Sequence, residues 1–195
     1  WLDAVVAALT HLGGETVFLI AALAVFWCVD KRQGYYLMSV GFMGTLVNQF
    51  LKITCRIPRP WVRDPNFTIV ESARAEATGY SFPSGHTIAS FEAAVVIALN
   101  NKKLGIPATV LAILIAFSRM YLGVHTPLDV GVSLATGLVI VLGLNLAMDR
   151  LEKNPKGMLW LLLGALAFAA VLVLYVNFAP VREANNPEFD AHGQK

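Results

Sequence analysis

Six apolar runs dominate the chain, at about residues 5–29, 34–51, 84–100, 105–122, 127–148 and 157–179, with charged or Pro/Gly-containing breaks between them. A helix needs roughly 20 mostly apolar residues to cross the hydrocarbon of a bilayer, and these runs approach that length. A backbone inside lipid must satisfy its own hydrogen bonds, and without the alternating pattern of a barrel strand the helix is the remaining solution. The expected fold is therefore all-α: a polytopic membrane helical bundle of about six transmembrane helices, forming a single domain over 1–195. Composition agrees, since 56% of the 195 residues are hydrophobic and only 14% are charged. The mean hydropathy of +0.61 lies well above that of ordinary soluble domains.

The first run is interrupted by His11, Gly13, Gly14 and Glu15. It reads equally as one span or as an interfacial helix over 1–11 followed by a shorter span. No charged region, apolar stretch and small-residue cleavage site occur in the order of a removable signal peptide, so this run is expected to be structure. Cys28 and Cys55 stand at the ends of different runs and are expected to be free thiols. The net charge of +2 comes from short basic clusters, with no long basic face or tail, which argues against a nucleic-acid partner. The short connections at 30–32, 101–103 and 149–156 carry seven basic residues, and the other face carries eight. Loop length, with a chemical role for three of those eight, favours the short connections as cytoplasmic and the long 52–83 connection as facing out of the cytoplasm.

That outer face holds three polar blocks: KITCRIPRP at 52–60, PSGH at 83–86 and SRMYLGVHTPLD at 118–129. Taken singly, each has a plain structural reading. Lys52 and Arg59 can snorkel at helix ends, Ser84 can cap a helix, and Thr126 with Asp129 can form a capping box. Together they make an anion site. The N–H groups of a helix starting after Ser84 point at whatever occupies that end, and Gly85 lets backbone approach closely. His86 beside them is a proton donor of suitable pKa. Asp129 lies four residues after His125, where its carboxylate can take the proton of one ring nitrogen and leave the other nucleophilic. Lys52, Arg59 and Arg119 supply positive charge for phosphoryl oxygens, with Arg59 held on a stiff segment between Pro58 and Pro60. There is no HExxH, no Cys/His cluster and no carboxylate group beside the histidines, so no metal and no other cofactor is expected.

In these residues the chain closely resembles the type 2 phosphatidic acid phosphatase superfamily, in its membrane lipid phosphate phosphatase branch. The signature appears in family order as Lys52 with Arg59-Pro60, Pro83-Ser84-Gly85-His86, and Ser118-Arg119 with His125 and Asp129. The resemblance implies a metal-independent phosphatase acting on a phosphomonoester or diphosphate lipid through a phosphohistidine. It implies His125 as nucleophile, Asp129 as its orienting partner and His86 as the acid for the leaving alcohol and later the base for water. Lys52, Arg59, Ser84, Gly85 and Arg119 would bind the phosphoryl oxygens. Phosphatidic acid, phosphatidylglycerophosphate and undecaprenyl diphosphate are the substrate types it suggests. The bilayer and a membrane lipid are then the partners, no obligatory protein partner is evident, and a bacterial plasma membrane with an extracytoplasmic site is favoured. The alternatives are a non-catalytic lipid-binding or transport protein of the same fold, and a phosphotransferase. The family's soluble vanadate-binding haloperoxidase relatives are disfavoured by the six apolar runs.

Overall fold

Every regular element among the described residues, 1–178 without 76 and 152, is a helix in this computed structural model. The order is α1 (Leu2–His11), α2 (Glu15–Cys28), α3 (Lys31–Cys55), α4 (Pro60–Arg63), α5 (Glu71–Arg74), α6 (Gly85–Asn100), α7 (Lys102–Tyr121), α8 (Pro127–Leu151) and α9 (Gly157–Phe178). The last residue of the 157–179 run, with Arg182 and Lys195 from the basic count, lies outside the described residues.

Local chemistry sets the boundaries. The Asp30 carboxylate accepts from the Gln33 amide at 2.8 Å and starts α3. That helix ends where Arg56 turns left-handed at φ 48°, so Lys52 belongs to its last turn and not to the loop. Asn101 closes α6 and caps α7, its side chain accepting from the Lys103 and Leu104 amides. The first apolar run bends by 48° between α1 and α2. The bend lies against the bundle, since a Cβ at Gly13 would meet Ile115 Cγ2 at 2.5 Å and the His86 carbonyl oxygen at 3.2 Å.

Three helices, α7, α8 and α9, are each long and apolar enough to cross a membrane, and the bent α1–α2 pair makes four. The sequence led to an expectation of about six. α6 has only 16 residues, about 24 Å at 1.5 Å per residue, and α3 has 25 residues but carries Asn48 and Lys52 among its apolar ones. Both are interior helices. α6 packs on α7, α8, α3 and α2, while α3 packs on α2, α6, α8 and α9. A helix covered by neighbours meets little lipid and tolerates polar residues that a peripheral one does not. Their core joins Ala22, Tyr36, Val40, Val96, Val141 and Met148, and the Tyr36 hydroxyl donates to the Val141 carbonyl at 2.8 Å. The outward faces of α8 and α9 are the reverse, with Val139 71% and Val173 59% exposed. This is an integral membrane protein.

Close helix approach depends on small residues. A Cβ at Gly105 would sit 2.5 Å from the Ala98 Cα, a backbone atom of α6. Gly105→Val is therefore expected to destabilise the bundle by about 1–3 kcal/mol. Gly143→Ala, at a glycine with nothing within 4 Å, should stay within about 0.5 kcal/mol of the parent. Unfolding in detergent, followed for both variants side by side, checks the contrast.

Candidate active site

Four helix ends converge at one end of the bundle, the C-termini of α3 and α7 and the N-termini of α6 and α8. Each carries a piece of the polar constellation. Arg59 follows α3 in an extended segment and is 3% exposed. Its guanidinium donates to three backbone carbonyls: Nε to Gly79 at 3.1 Å, Nη2 to Thr78 at 2.7 Å and Nη1 to Val124 at 2.9 Å. Nη1 also lies 3.0 Å from His125 Nε2. A guanidinium only donates, so Nε2 presents its lone pair and the ring proton sits on Nδ1.

Nδ1 faces Asp129 Oδ2 across 3.5 Å, slightly too far for a well-formed hydrogen bond. The carboxylate is held there by other groups. Oδ2 accepts from the Ser81 hydroxyl at 2.5 Å and the Thr126 amide at 2.8 Å. The Asp129 amide in turn donates to Thr126 Oγ1 at 3.3 Å, which completes a reciprocal cap at the start of α8. Burial holds the His125 imidazole well below its ordinary pKa, and the Arg59 and Arg119 cations push the same way while Asp129 opposes them. The ring is thus neutral at physiological pH, as a nucleophile must be. Burial, reinforced by Arg119 and opposed by Asp129, pushes Arg59 down to about 10, which leaves it charged at neutral pH.

Ser84 is the N-cap of α6 and is fully buried. Its hydroxyl accepts from Thr87 Oγ1 at 2.9 Å and, at 3.4 Å, from the Thr87 amide. Its own amide donates to Ser133 Oγ at 2.8 Å, and that hydroxyl donates to the Asp129 carbonyl at 2.6 Å. One hydrogen-bonded chain therefore joins the first turns of α6 and α8. Arg119, at the end of α7, turns its carbonyl to the His125 and Val124 amides, each at 3.2 Å. Its Nη1 donates to Thr10 Oγ1 on α1 at 2.9 Å. Charge interactions link Lys52 with Arg59, Arg119 and Asp129, and link His86 with Arg119, Lys52 and Arg59. Hydrogen bonds thus tie Arg59, His125, Asp129 and Ser84 to one another or to shared partners, and Lys52 and His86 stand within their electrostatic reach.

The 56–83 connection closes over this end. Trp61 is buried with Ala73, Ala77, Leu122 and Val124, and the Arg59 and Arg74 guanidiniums each lie 5.9 Å from its ring. Gly123 adopts φ 75°, and a Cβ there would meet the Thr68 carbonyl oxygen at 2.6 Å, so only glycine lets the connection press onto the turn before His125. Sequence reasoning missed Ser81, Ser133 and Thr10. Ser133 had a local signal, lying one helical turn after Asp129 on the same face. Ser81 and Thr10 meet their partners only through the tertiary fold.

Among the described residues no group of three or more His, Cys, Asp or Glu side chains is placed to hold a metal ion. What the arrangement offers a ligand is a buried cationic cluster, a helix N-terminus and a neutral imidazole whose Nε2 lone pair is met by Arg59.

Comparison with known proteins bears on the same residues. The profile of the PAP2 superfamily matches residues 32–153, which include every polar block described above. Undecaprenyl-diphosphatase BcrC of Bacillus subtilis is 29% identical over 143 residues, 71% of each chain. Phosphatidylglycerophosphatase B of Bacillus subtilis is 29% identical over 157 residues, 72% of each. The crystal structure of Aquifex aeolicus LpxE superposes with a TM-score of 0.65 at 26% identity, covering 73% of this chain and 84% of that one.

The serine relay gives a stability test. Ser133→Ala leaves the buried Ser84 amide without its acceptor and is expected to cost about 1–3 kcal/mol. Its unfolding midpoint in detergent, set beside that of the parent, measures the cost.

Proposed function

The chain belongs to the PAP2 superfamily, and from that premise we propose that it is a lipid phosphate phosphatase in which His125 carries the phosphoryl group. The observation that carries this reading is the setting of the His125 ring, with Nε2 against Arg59 and Nδ1 facing Asp129. The phosphoryl group enters at the N-terminus of α6. Its oxygens take the Gly85 and His86 amides together with Arg59, Arg119 and Lys52, and Arg59 Nη1 moves from Nε2 to an oxygen. Nε2 then attacks phosphorus in line. The P–Nε2 bond forms as the bond to the leaving oxygen breaks. His86, which burial and the Arg119 and Lys52 cations hold below its ordinary pKa, takes up a proton as the phosphate charge offsets those cations and delivers it to that oxygen. Asp129 balances the positive charge developing on the ring. Water next attacks the phosphohistidine, with His86 taking its proton, and inorganic phosphate leaves as Nε2 regains its lone pair. The cationic side chains do the charge balancing that a divalent ion performs in other phosphatases.

The names of the relatives point to phosphatidylglycerophosphate and undecaprenyl diphosphate as substrate classes, beside phosphatidic acid. Loop length and the placement of the basic residues support one orientation. Helix alternation puts the short connections at 29–30, 101 and 153–156, with their neighbouring basic residues, at the end opposite the Arg59–His125 cluster. That supports a site opening on the extracytoplasmic face of a plasma membrane.

Purified protein in detergent with EDTA is expected to release phosphate from at least one of these three lipids, and vanadate should inhibit it. His125→Ala should lower the rate by at least about a thousandfold with the bundle intact. Unchanged turnover in that variant, or activity lost on chelation and restored by one divalent ion, would sink the mechanism.

A further inference from the structure

Glu92 stands inside the bundle and has no part in the mechanism above. It lies on α6, is 0% exposed, and neither carboxyl oxygen has a hydrogen-bond partner. Two glycines make room for it. A Cβ at Gly44 on α3 would collide with both carboxyl oxygens, and one at Gly137 on α8 would come within 3.3 Å of Cγ. A leucine or methionine would fill such a slot without leaving polar atoms unsatisfied, so the carboxyl is a liability for packing alone.

Its surroundings say what it meets. Glu92 lines a cavity of about 700 Å³ between α2, α3, α6 and α9, whose walls are mostly apolar. Asn48 lines it too, and its side-chain oxygen is also buried without a partner. At the other end the lining reaches Gly85, the first residue of the α6 turn that takes the phosphoryl group. Along the outer wall Leu19, Phe42, Leu159 and Leu162 are exposed, so a hydrocarbon chain can enter sideways from the bilayer.

Depth selects the contact. Glu92 follows Gly85 by seven residues, about 10 Å along the helix. Helical side chains lean back toward the N-terminus, which puts the carboxyl about one turn below the phosphoryl site. In a glycerolipid, the ester carbonyls lie only a few bonds from phosphorus and reach this level. An isoprenoid diphosphate has only hydrocarbon there. An apolar setting without a cation favours the neutral acid, whose O–H can donate to a carbonyl.

Building on the phosphatase reading, we propose that Glu92 is a specificity-determining residue that hydrogen-bonds an ester carbonyl of the substrate, so that the enzyme favours phosphate-bearing glycerolipids over isoprenoid diphosphates. A site with a buried polar group discriminates against a substrate that leaves the group unpaired.

The test compares kcat/KM on phosphatidic acid and on undecaprenyl diphosphate for the parent, Glu92→Gln and Glu92→Met. Glu92→Met should lose roughly tenfold on phosphatidic acid, as one hydrogen bond requires, and lose nothing on the diphosphate. Glu92→Gln keeps an N–H donor and should stay within about threefold of the parent on both lipids. Where Glu92→Met does not fold, Glu92→Ala carries the same expectation. An unchanged ratio between the two lipids in the apolar variants overturns the proposal and leaves the phosphatase standing. So does a shift in Glu92→Gln as large as in Glu92→Met. Absence of His125-dependent release by the parent protein from phosphatidic acid, phosphatidylglycerophosphate and undecaprenyl diphosphate alike would sink the phosphatase reading, and this inference with it.

Discussion

The site depends on the buried Arg59 guanidinium. A charge taken out of water is tolerated only with hydrogen bonds around it, and Arg59 finds them on carbonyls from two separate stretches of chain, Thr78 and Gly79 on one side and Val124 on the other. The same fork reaches His125 Nε2. One side chain therefore fastens the connection after α3 to the turn before α8 and fixes which ring nitrogen keeps its lone pair. Lysine, with one compact ammonium, could not span these acceptors. The neighbouring prolines aim the arm, and the carbonyls hold it.

Asp129 is the second tie, and it does more than face the imidazole. Its Oδ2 gathers Ser81 and the Thr126 amide, and its carbonyl receives Ser133, which holds the Ser84 amide. The α6 N-terminus, the proposed phosphoryl site, is thereby in register with the α8 N-terminus, where Asp129 faces the His125 ring. Such preorganisation is what phosphoryl transfer asks of a protein, since charge must meet donors already in place. Because Oδ2 is already engaged, Asp129 is a fixed negative charge 3.5 Å from Nδ1, and closure of that gap by a few tenths of an ångström completes the hydrogen bond when charge appears on the ring.

Much of this was legible in the sequence because it is local. Ser84 and the Thr126–Asp129 pair are helix caps, and caps are written in three or four consecutive residues. The helical character of the apolar runs follows from the bilayer alone. Two features did not follow. α6 is too short, at 16 residues, and α3 carries Asn48 and Lys52 among its apolar residues, so neither stands as an independent span. Helices packed on both make those features tolerable, and a run of apolar residues does not show which neighbours will cover it. Ser81, Thr10 and the carbonyls around Arg59 are ordinary residues in sequence, and their roles arise from contacts up to 109 residues apart. The bend at Gly13 and Gly14 lay between: the glycines signalled a break, and its direction was set by Ile115 and His86, against which the hinge rests.

The register along α6 links chemistry to lipid choice. In the proposed mechanism the α6 N-terminus and His125 fix the phosphoryl group, so every other atom of a bound lipid is measured from that point down the helix. Residues a turn or two below Gly85 then meet a defined part of the molecule: linkage groups in a glycerolipid, hydrocarbon in an isoprenoid. A diphosphate whose terminal phosphorus is attacked also holds its chain one phosphate further from the site than a monoester does. The depth at which the cavity wall turns polar, at Asn48 and Glu92, is therefore the feature through which the proposed selection between lipid classes would act.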